Sequence, residues 1–381
     1  MTNIVQTNPH SEYLALQEKI DHALLSVARQ GQYILGPEVE AFETEFANYI
    51  GVPHSVGVAS GTDAIELALR TLNIGRGDIV ITTSMTAVAT AAAIARTGAT
   101  PLFVDVETHG FNMDPGILES TINAVHSGKY STLGNKVSAI IAVHLYGHPV
   151  DIGSISQIAT ANDCYLIEDC AQAHGASCKG TSVGSWGDMA AFSFYPTKNL
   201  GALGDGGAIT TSKTEYFQRA AMLRQYGWLQ RQISSEQGIN SRLDEIQAAV
   251  LRIKLANLDD FVSRRRNTAK LYNQLIDHPA IQKPIEASGY QHAYHQYVIR
   301  CHNRDDLVNH LFANGIQTAI HYPMPVHSQP AYKNLPIGPE GLQRTELLTR
   351  EILSLPMWVY LQPEQVERVA LAINQWVDSA A

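Results

Sequence analysis

Val56-Gly57-Val58-Ala59 is the first of six short apolar or β-branched runs that alternate with helical patterns between about residues 56 and 211. The other five runs cover residues 79–82, 101–104, 139–143, 165–167 and 190–194. Several runs are apolar at successive positions, which is typical of strands covered by helices on both faces. The helix after the third run has a clear start, because Asp114 is a capping residue and Pro115 suits the first helical position. This alternation predicts an α/β fold with helices on both sides of the sheet.

A second region follows, and its pattern is different. Apolar residues recur at helical spacing from Ser241 to Ile276, which predicts one long helix able to bridge two domains. Beyond it, the sequence predicts a strand at 297–300 and helices at 304–314, 345–353 and 363–377. We therefore predict a large domain over residues 1–245, including the N-terminal segment, and a second region over 246–381 with the long helix and a smaller α+β C-terminal domain.

Composition excludes several classes of protein. The 381 residues are 45% hydrophobic and 17% charged, which is typical of a folded globular chain and not of a disordered one. The net charge of -9 offers no basic excess for nucleic acid. The N-terminus resembles no export signal, and no apolar stretch reaches the roughly 20 residues that a membrane span needs. We expect a cytoplasmic protein that binds neither nucleic acid nor membrane.

Cysteine usage agrees with a reducing compartment. The four cysteines show no C-x-x-C spacing and are too few to cross-link a chain of this length. They are Cys164, Cys170, Cys178 and Cys301. We expect reduced thiols, most of them buried.

The first candidate site is Ser60-Gly61-Thr62-Asp63, between a strand and a helix. Ser60 and Asp63 have the spacing of a capping box, and Gly61 lets backbone N–H groups approach an anion at the positive end of the helix. Helix caps of this composition are common, so the motif alone fits either a phosphate site or an ordinary cap.

Two further candidates follow later strands. Glu168-Asp169 ends an apolar strand, where open α/β sheets bind ligands, although both acids could simply be solvated in a loop. Lys198 follows the strand containing Ser193 and precedes a glycine-dense turn. A lysine held there can be desolvated and made nucleophilic, although an isolated loop lysine is usually a solvated charge.

Together the three candidates describe one ligand, with a phosphate, a group that needs a carboxylate, and a carbonyl that can condense with an amine. Pyridoxal 5'-phosphate has all three features. The sequence has neither a Walker A motif nor a G-x-G-x-x-G after a strand, so nucleotide triphosphates and dinucleotides lack their usual anchor.

The sequence also resembles the DegT/DnrJ/EryC1/StrS family of sugar aminotransferases over nearly its whole length. The resemblance is carried by seven ordered blocks: residues 33–39 (YILGPEV), 59–64 (ASGTDA), 143–147 (VHLYG), 168–175 (EDCAQAHG), 193–201 (SFYPTKNLG), 240–244 (NSRLD) and 321–323 (HYP). It implies the PLP-dependent transferase type I fold, with a mostly parallel central sheet flanked by helices.

The resemblance also implies roles for individual residues. Lys198 would bind the cofactor as a Schiff base, Asp169 would pair with its pyridine nitrogen and Gln172 would contact its ring hydroxyl. The phosphate would be held by Ser193 and the backbone of Gly61 and Thr62, with Asn240 contributed by the other subunit of a homodimer.

One position departs from the family pattern. Many members place an aromatic residue over the cofactor ring where this chain has Thr86-Ala87-Val88. Met85 is therefore our candidate for the contact with the ring.

Several residues are candidates for contact with substrate. They are His144, Tyr146, His321, Tyr322 and His327. His144 and His148 are four residues apart, but no glutamate lies between them on a helix, as a zinc-protease pair requires. We therefore expect no metal.

The predicted reaction moves an amino group from L-glutamate to an oxo-sugar, with pyridoxamine 5'-phosphate as the aminated cofactor. The block around Lys198 most resembles members acting on nucleotide-linked 3-keto-6-deoxysugars, as used for cell-surface lipopolysaccharide. An oxidised octulosonic acid (8-amino-Kdo type) or a 4-keto sugar nucleotide is an alternative substrate. A sugar dehydratase would have lost the lysine, and a non-catalytic cofactor-binding regulator would not need Asp169, Gln172 and Lys198 together.

Overall fold

The computed structural model describes residues 3–108, 110–134 and 136–378. Fourteen strands lie in these ranges: β1 (His54–Val58), β2 (Ile79–Thr83), β3 (Thr100–Val104), β4 (Val137–Val143), β5 (Tyr165–Asp169), β6 (Ser177–Cys178), β7 (Thr181–Ser182), β8 (Met189–Ser193), β9 (Gly207–Thr211), β10 (Trp228–Gln230), β11 (Ile233–Ser234), β12 (Tyr290–Gln291), β13 (Tyr297–Arg300) and β14 (Ile352–Leu355).

Thirteen α-helices lie in the same ranges: α1 (His10–Ala15), α2 (Gln17–Gln30), α3 (Pro37–Ile50), α4 (Gly61–Thr71), α5 (Val88–Thr97), α6 (Pro115–His126), α7 (Ile152–Ala161), α8 (Thr214–Leu223), α9 (Glu245–Leu255), α10 (Leu258–Leu275), α11 (Arg304–Ala313), α12 (Gln343–Glu351) and α13 (Pro363–Gln375). The cap predicted at Asp114 is present, because its Oδ1 accepts from the N–H groups of Gly116 (2.9 Å) and Ile117 (3.2 Å).

The central sheet has seven strands in the order β1-β9-β8-β5-β4-β2-β3. Strands β3, β2, β4, β5 and β8 run parallel, whereas β9 is antiparallel to both of its neighbours, β8 and β1. The predicted α/β class and mostly parallel sheet are confirmed. The six predicted strands are all present, and β9 is a seventh that the sequence analysis did not identify.

Helices cover both faces of this sheet, as the apolar runs predict. In β4, Ala139 and Ile141 join a buried cluster with α4 and α5, whereas Ile140 and Ala142 join a different cluster with α6 and α7. Successive side chains point to opposite faces of a strand, so a strand buried on both faces must be apolar at every position.

All four cysteines are free and buried, as predicted. Within the described ranges, no helix is long and apolar enough to cross a membrane.

The single long helix predicted from 241 to 276 is wrong, because the structure has two helices there, α9 and α10. The backbone of Asn257 leaves the helical region (φ -112°, ψ 3°), and its side-chain Nδ2 donates to the carbonyl of Ile253 at 2.8 Å. An asparagine that bonds to the preceding turn competes with helix continuation, which explains the break.

The C-terminal part has its own core, built on the antiparallel pair β13 and β14. The predicted helix at 345–353 ends early, because Ile352 and Leu353 begin β14 and are fully buried in that pairing. The division of the chain at residue 245 stays a prediction. The first residues depart from it, however, since Ile4 forms a bridge with Ile316 and packs into the C-terminal core.

The N-terminal segment also carries a charge into the interior. Glu12 of α1 is 2% exposed and lies 3.4 Å from Nζ of Lys254 and 3.9 Å from Arg265. Arg265 in turn lies near the carbonyls of Tyr294 and His295, each 3.4 Å from its Nη1. The buried carboxylate therefore compensates two buried cations.

Candidate active site

The start of helix α4 forms an anion cradle. Ser60 caps the helix, with its Oγ accepting from the N–H of Asp63 at 3.1 Å. The first N–H groups of a helix have no acceptor inside it, so those of Gly61 and Thr62 are available to a ligand. A Cβ on Gly61 would lie 2.6 Å from Cβ of Ser193, so only glycine lets the serine hydroxyl come this close to the helix.

Asp169 ends β5 with its carboxylate in a nearly dry environment. Oδ2 accepts from the Thr90 hydroxyl at 2.7 Å, and Oδ1 accepts from the N–H of Ala171 at 3.2 Å. Burial raises the pKa of Asp169, whereas the bonds from Thr90 and Ala171 and the nearby charge of Lys198 lower it. The carboxylate is thus poised to hold a cationic group of a ligand.

The neighbouring acid, Glu168, points to the other side of the strand and has a different environment. Its Oε1 accepts from the N–H groups of Trp186 (2.8 Å) and Gly187 (3.0 Å), and its Oε2 accepts from that of Gly184 (2.8 Å). Its Oε2 also lies 3.1 Å from Nε2 of His144. Glu168 therefore organises the loop before β8.

Lys198 lies in a tight turn after β8. Its N–H donates to the carbonyl of Tyr195 at 2.8 Å, and a Cβ on Gly201 would lie 2.5 Å from the carbonyl oxygen of Pro196. Burial lowers the pKa of Lys198 to about 8, although the charge of Asp169 acts in the opposite direction. A buried amine of this basicity is partly neutral, and so nucleophilic, near physiological pH.

Gln172 is held by two groups that fix the orientation of its amide. Its Oε1 accepts from the N–H of Tyr146 at 2.7 Å, and its Nε2 donates to the hydroxyl of Tyr322 at 3.0 Å. The hydroxyl of Tyr146 donates to the carbonyl of His321, whose Nδ1 lies 2.9 Å from the Ser354 hydroxyl. Burial lowers the pKa of His321 to about 4, so this imidazole is neutral at physiological pH.

These elements meet in one cavity of about 340 Å³. Nine of the residues predicted from the sequence line it: Gly61, Thr62, His144, Asp169, Gln172, Ser193, Lys198, His321 and Tyr322. The ring of His144 is fully buried. Its Nδ1 accepts from the N–H of Val150 (3.1 Å), so its Nε2 carries the hydrogen and donates to Glu168.

Four other predicted residues do not line this cavity: Met85, Tyr146, His327 and Asn240. Met85 is not a lining residue, but it is buried in an apolar cluster with Val106 and Val143, and Val143 does line the cavity. Tyr146 lines a neighbouring cavity of about 660 Å³. His327 lies beside Ser84 (2.7 Å) and Glu346 (3.3 Å).

Asn240 is exposed and lies outside the cavity of its own chain, next to Ser241. Ser241 is buried and bonds to Asp63 at 2.8 Å, which anchors this segment beside the start of α4.

Sequence reasoning missed several lining residues. Thr86, Ala87 and Ala89 at the start of α5 line the cavity, and so do His295 and Gln296 from the C-terminal part of the chain. His295 is 5% exposed, and its Nδ1 has no hydrogen-bond partner among the described residues. The signal for Thr86 and Ala87 was their position, where many members of the family place an aromatic residue over the cofactor ring.

One group of possible metal ligands occurs among the described residues. Ligand atoms of His144, Glu168 and Cys170 lie within 4.8 Å of one another. The carboxylate of Glu168 is already bonded to the loop and to His144, so the ligand atoms of Glu168 and His144 have other partners. Our expectation that the protein uses no metal stays a prediction.

The donor set fits a pyridoxal phosphate. The cavity combines a buried amine, a buried carboxylate and a helix N-terminus beside a serine, and the cradle between Gly61 and Ser193 would be filled by a single Cβ. The fold and this site define a pyridoxal phosphate-dependent aminotransferase. The chain belongs to the DegT/DnrJ/EryC1/StrS aminotransferase family, whose sequence model matches residues 15–374.

Individual relatives are similar over almost their full lengths. A dTDP-3-amino-3,4,6-trideoxy-alpha-D-glucose transaminase of Streptomyces venezuelae is 44% identical over 96% of this chain and 94% of its own. A dTDP-3-amino-3,6-dideoxy-alpha-D-galactopyranose transaminase of Aneurinibacillus thermoaerophilus is 44% identical over 94% of this chain and 96% of its own. The crystal structure of S. venezuelae DesV in complex with a ketimine intermediate superposes with a TM-score of 0.93, at 41% identity, over 99% of this chain and 100% of DesV. The protein is a sugar aminotransferase.

Proposed function

We propose that this protein transfers the amino group of L-glutamate to the 3-oxo group of a nucleotide-linked 6-deoxysugar. The observation that carries the proposal is the meeting of Lys198, Asp169 and the α4 anion cradle in one cavity. The position of the oxo group is supported by the relatives, because both transaminases named above are named for a 3-amino sugar linked to dTDP.

Each group in the cavity has a proposed partner on the cofactor. Asp169 holds the pyridine nitrogen in its protonated form, and Gln172 orients the ring through its hydroxyl. The N–H groups of Gly61 and Thr62 and the hydroxyl of Ser193 would hold the phosphate, because the positive end of α4 favours a dianion there. When bound, the cofactor supplies an aldehyde that condenses with amines and a ring that withdraws electrons.

Lys198 performs the proton transfers. Its Nζ takes a proton from Cα of glutamate in the first half-reaction, and in the second it returns a proton to the sugar carbon that receives nitrogen. A pKa of about 8 suits both tasks, because the amine is readily available in its neutral and protonated forms. Burial in the cavity also keeps water from competing for these protons.

His321 and Tyr322 form the side of the cavity that receives substrate. The neutral imidazole of His321 can hydrogen-bond to a hydroxyl or carbonyl of the sugar, and Tyr322 connects the same wall to Gln172. Both ring nitrogens of His144 have partners within the fold, and its contact with substrate stays a prediction.

We further propose a homodimer in which Asn240 reaches the phosphate site of the other subunit. Two observations support this arrangement. Asn240 is exposed, and the hairpin preceding it has the exposed apolar side chains Leu229 (74%) and Ile233 (60%). Exposed apolar residues grouped in this way are typical of an interface between subunits.

The proposal is tested by measuring the two half-reactions separately. Glutamate alone should bleach the visible absorption band of the holoenzyme. The aminated enzyme, freed of glutamate, is then mixed with 3-oxo and 4-oxo sugars linked to dTDP or UDP, and with an oxidised octulosonic acid. Recovery of the band identifies the acceptor.

Recovery with a dTDP-linked 3-oxo-6-deoxysugar is the expected result. Faster recovery with the 4-oxo sugar or the octulosonic acid would contradict the proposed substrate and leave the aminotransferase assignment in place. Lys198→Ala is the matched control, and it should give no band change with either substrate.

A further inference from the structure

Two threonine hydroxyls connect the cavity wall to the carboxylate of Asp169. Thr90, in the first turn of α5, lies 2.7 Å from Oδ2 of Asp169, and the hydroxyl of Thr86 lies 3.2 Å from that of Thr90. All three residues are buried, with exposures of 4% for Thr86, 0% for Thr90 and 5% for Asp169.

The donor and acceptor in each of these two hydrogen bonds follow from the single hydrogen that each hydroxyl carries. A hydroxyl has one hydrogen, and an ionised carboxylate can only accept, so Thr90 must donate to Asp169. Thr86 must then donate to Thr90. The order is therefore Thr86 to Thr90 to Asp169, and each bond polarises the next one in the same direction.

These hydrogen bonds counteract burial, which has the largest effect on the pKa of Asp169. Burial raises the pKa of this carboxyl group, and the bond from Thr90 is the foremost of the contacts that lower it. Asp169 also lies beside the N-terminal turn of α5, where the helix dipole favours a negative charge. Without the hydroxyls, a carboxyl group at this depth would hold its proton more tightly.

We infer that Thr90, supported by Thr86, is a positioning residue that keeps Asp169 ionised and oriented toward the ring nitrogen of the cofactor. The inference rests on the role proposed above for Asp169. If Thr90 donates less, Asp169 becomes more basic, and it draws the shared proton away from the ring nitrogen. The nitrogen that joins Lys198 to the cofactor then becomes more basic, because the ring has lost positive charge.

The test compares Thr90→Val, which has nearly the same shape without the hydroxyl, with Thr90→Ser, which keeps it. Two quantities are measured: the dissociation constant of pyridoxal phosphate, and the pH midpoint of the visible band of the holoenzyme. Thr90→Val should bind the cofactor about tenfold more weakly, as expected for the loss of a hydrogen bond to a charged group, and its midpoint should move upward. Thr90→Ser should stay within about twofold of wild type.

Thr121→Val is the matched control. Thr121 lies in α6, is fully buried, and its hydroxyl has no partner among the described residues. The same change there should leave both the dissociation constant and the midpoint unchanged. If Thr90→Val does not fold, Thr86→Val removes only the second bond of the chain and should move both quantities in the same direction by less.

A wild-type midpoint in Thr90→Val, or equal changes in Thr90→Val and Thr90→Ser, would overturn the inference. Asp169→Asn distinguishes a failure of the role inferred for Thr90 from a failure of the role proposed for Asp169. If it shifts the midpoint while Thr90→Val does not, only the role of Thr90 fails. If Asp169→Asn leaves the midpoint in place, the proposed role of Asp169 fails as well.

Discussion

Glu168 and Asp169 are adjacent acids, and replacing each by its amide should have opposite effects. In Glu168→Gln, one carboxylate oxygen becomes an NH₂ group. If that group replaces Oε1, it faces the N–H groups of Trp186 and Gly187. If it replaces Oε2, it faces the N–H of Gly184 and the Nε2–H of His144.

Either orientation therefore leaves two buried donors without an acceptor. At roughly 1–3 kcal/mol for each unsatisfied donor, we expect Glu168→Gln to lose about 4 kcal/mol of stability. For a chain of this length, that corresponds to a fall in Tm on the order of 5 °C. Asp169→Asn can keep Oδ1 as the acceptor for the N–H of Ala171 and turn its NH₂ group toward Thr90, whose hydroxyl can accept as well as donate. It should therefore keep its stability and lose its rate, because the ring nitrogen of the cofactor loses its counter-charge.

The assay combines thermal unfolding of the cofactor-free proteins with the rate at which glutamate bleaches the holoenzyme band. Glu168→Gln should unfold earlier and retain most of its rate at a temperature where it is folded. Asp169→Asn should unfold at the wild-type temperature and react slowly. A stable but inactive Glu168→Gln, beside an active Asp169→Asn, would show that the roles of the two acids are reversed.

Four further predictions concern Lys198, Gly61 and Asn240. Lys198→Ala should keep the fold and less than about a thousandth of the activity. Because the folded pKa of Lys198 is lowered to about 8, the unfolded chain holds a proton that the folded one releases between pH 8 and the ordinary value of 10.5. The free energy of unfolding of the cofactor-free wild type, relative to that of Lys198→Ala, should therefore rise by about 3 kcal/mol across that window. Urea titrations measure this difference, and a fall would contradict the burial of this amine. Gly61→Ala should weaken cofactor binding about tenfold, since its Cβ would lie 2.6 Å from that of Ser193, and unchanged binding in a fluorescence titration would argue against the phosphate cradle. Mixing Lys198→Ala with an inactive Asn240 variant under subunit exchange should restore up to half the activity per heterodimer, because one site then carries neither defect. Confirmed heterodimers without activity would show that Asn240 acts in its own chain.

The parts of the fold that could be predicted from sequence are those set by local pattern. The apolar run of β4 and the cap at Asp114 depend on their own residues and near neighbours, and both are present as expected. Strand β14 was mistaken for the end of a helix because its state depends on pairing with β13, which lies more than fifty residues earlier. The break at Asn257 was missed because a single asparagine inside a helical pattern is usually tolerated.

The site divides in a similar way. Residues at the ends of strands, such as Asp169 and Lys198, could be found because sheet topology collects the ends of parallel strands at one edge. His295 could not be found, since it comes from the C-terminal part of the chain and is held at the cavity by contacts of its backbone with Arg265 of α10 and by the bond of the next residue, Gln296, to Tyr146. The contact of Met85 with the cofactor ring stays a prediction. Its side chain packs in the apolar cluster at the ends of β3 and β4, and Val143 of that cluster also lines the cavity.

The buried carboxylate of Glu12 gives the beginning of the chain a part in shaping the catalytic pocket. Glu12 lies just before residue 15, where the match to the family's sequence model begins. Cleaving the chain after Ala15 would leave two buried positive charges, Lys254 and Arg265, without this counter-ion. Arg265 also donates to the backbone carbonyl of His295, a residue of the cavity wall. Proteolytic removal of the residues up to Ala15 would therefore leave every proposed catalytic group in place and still loosen one wall of the pocket.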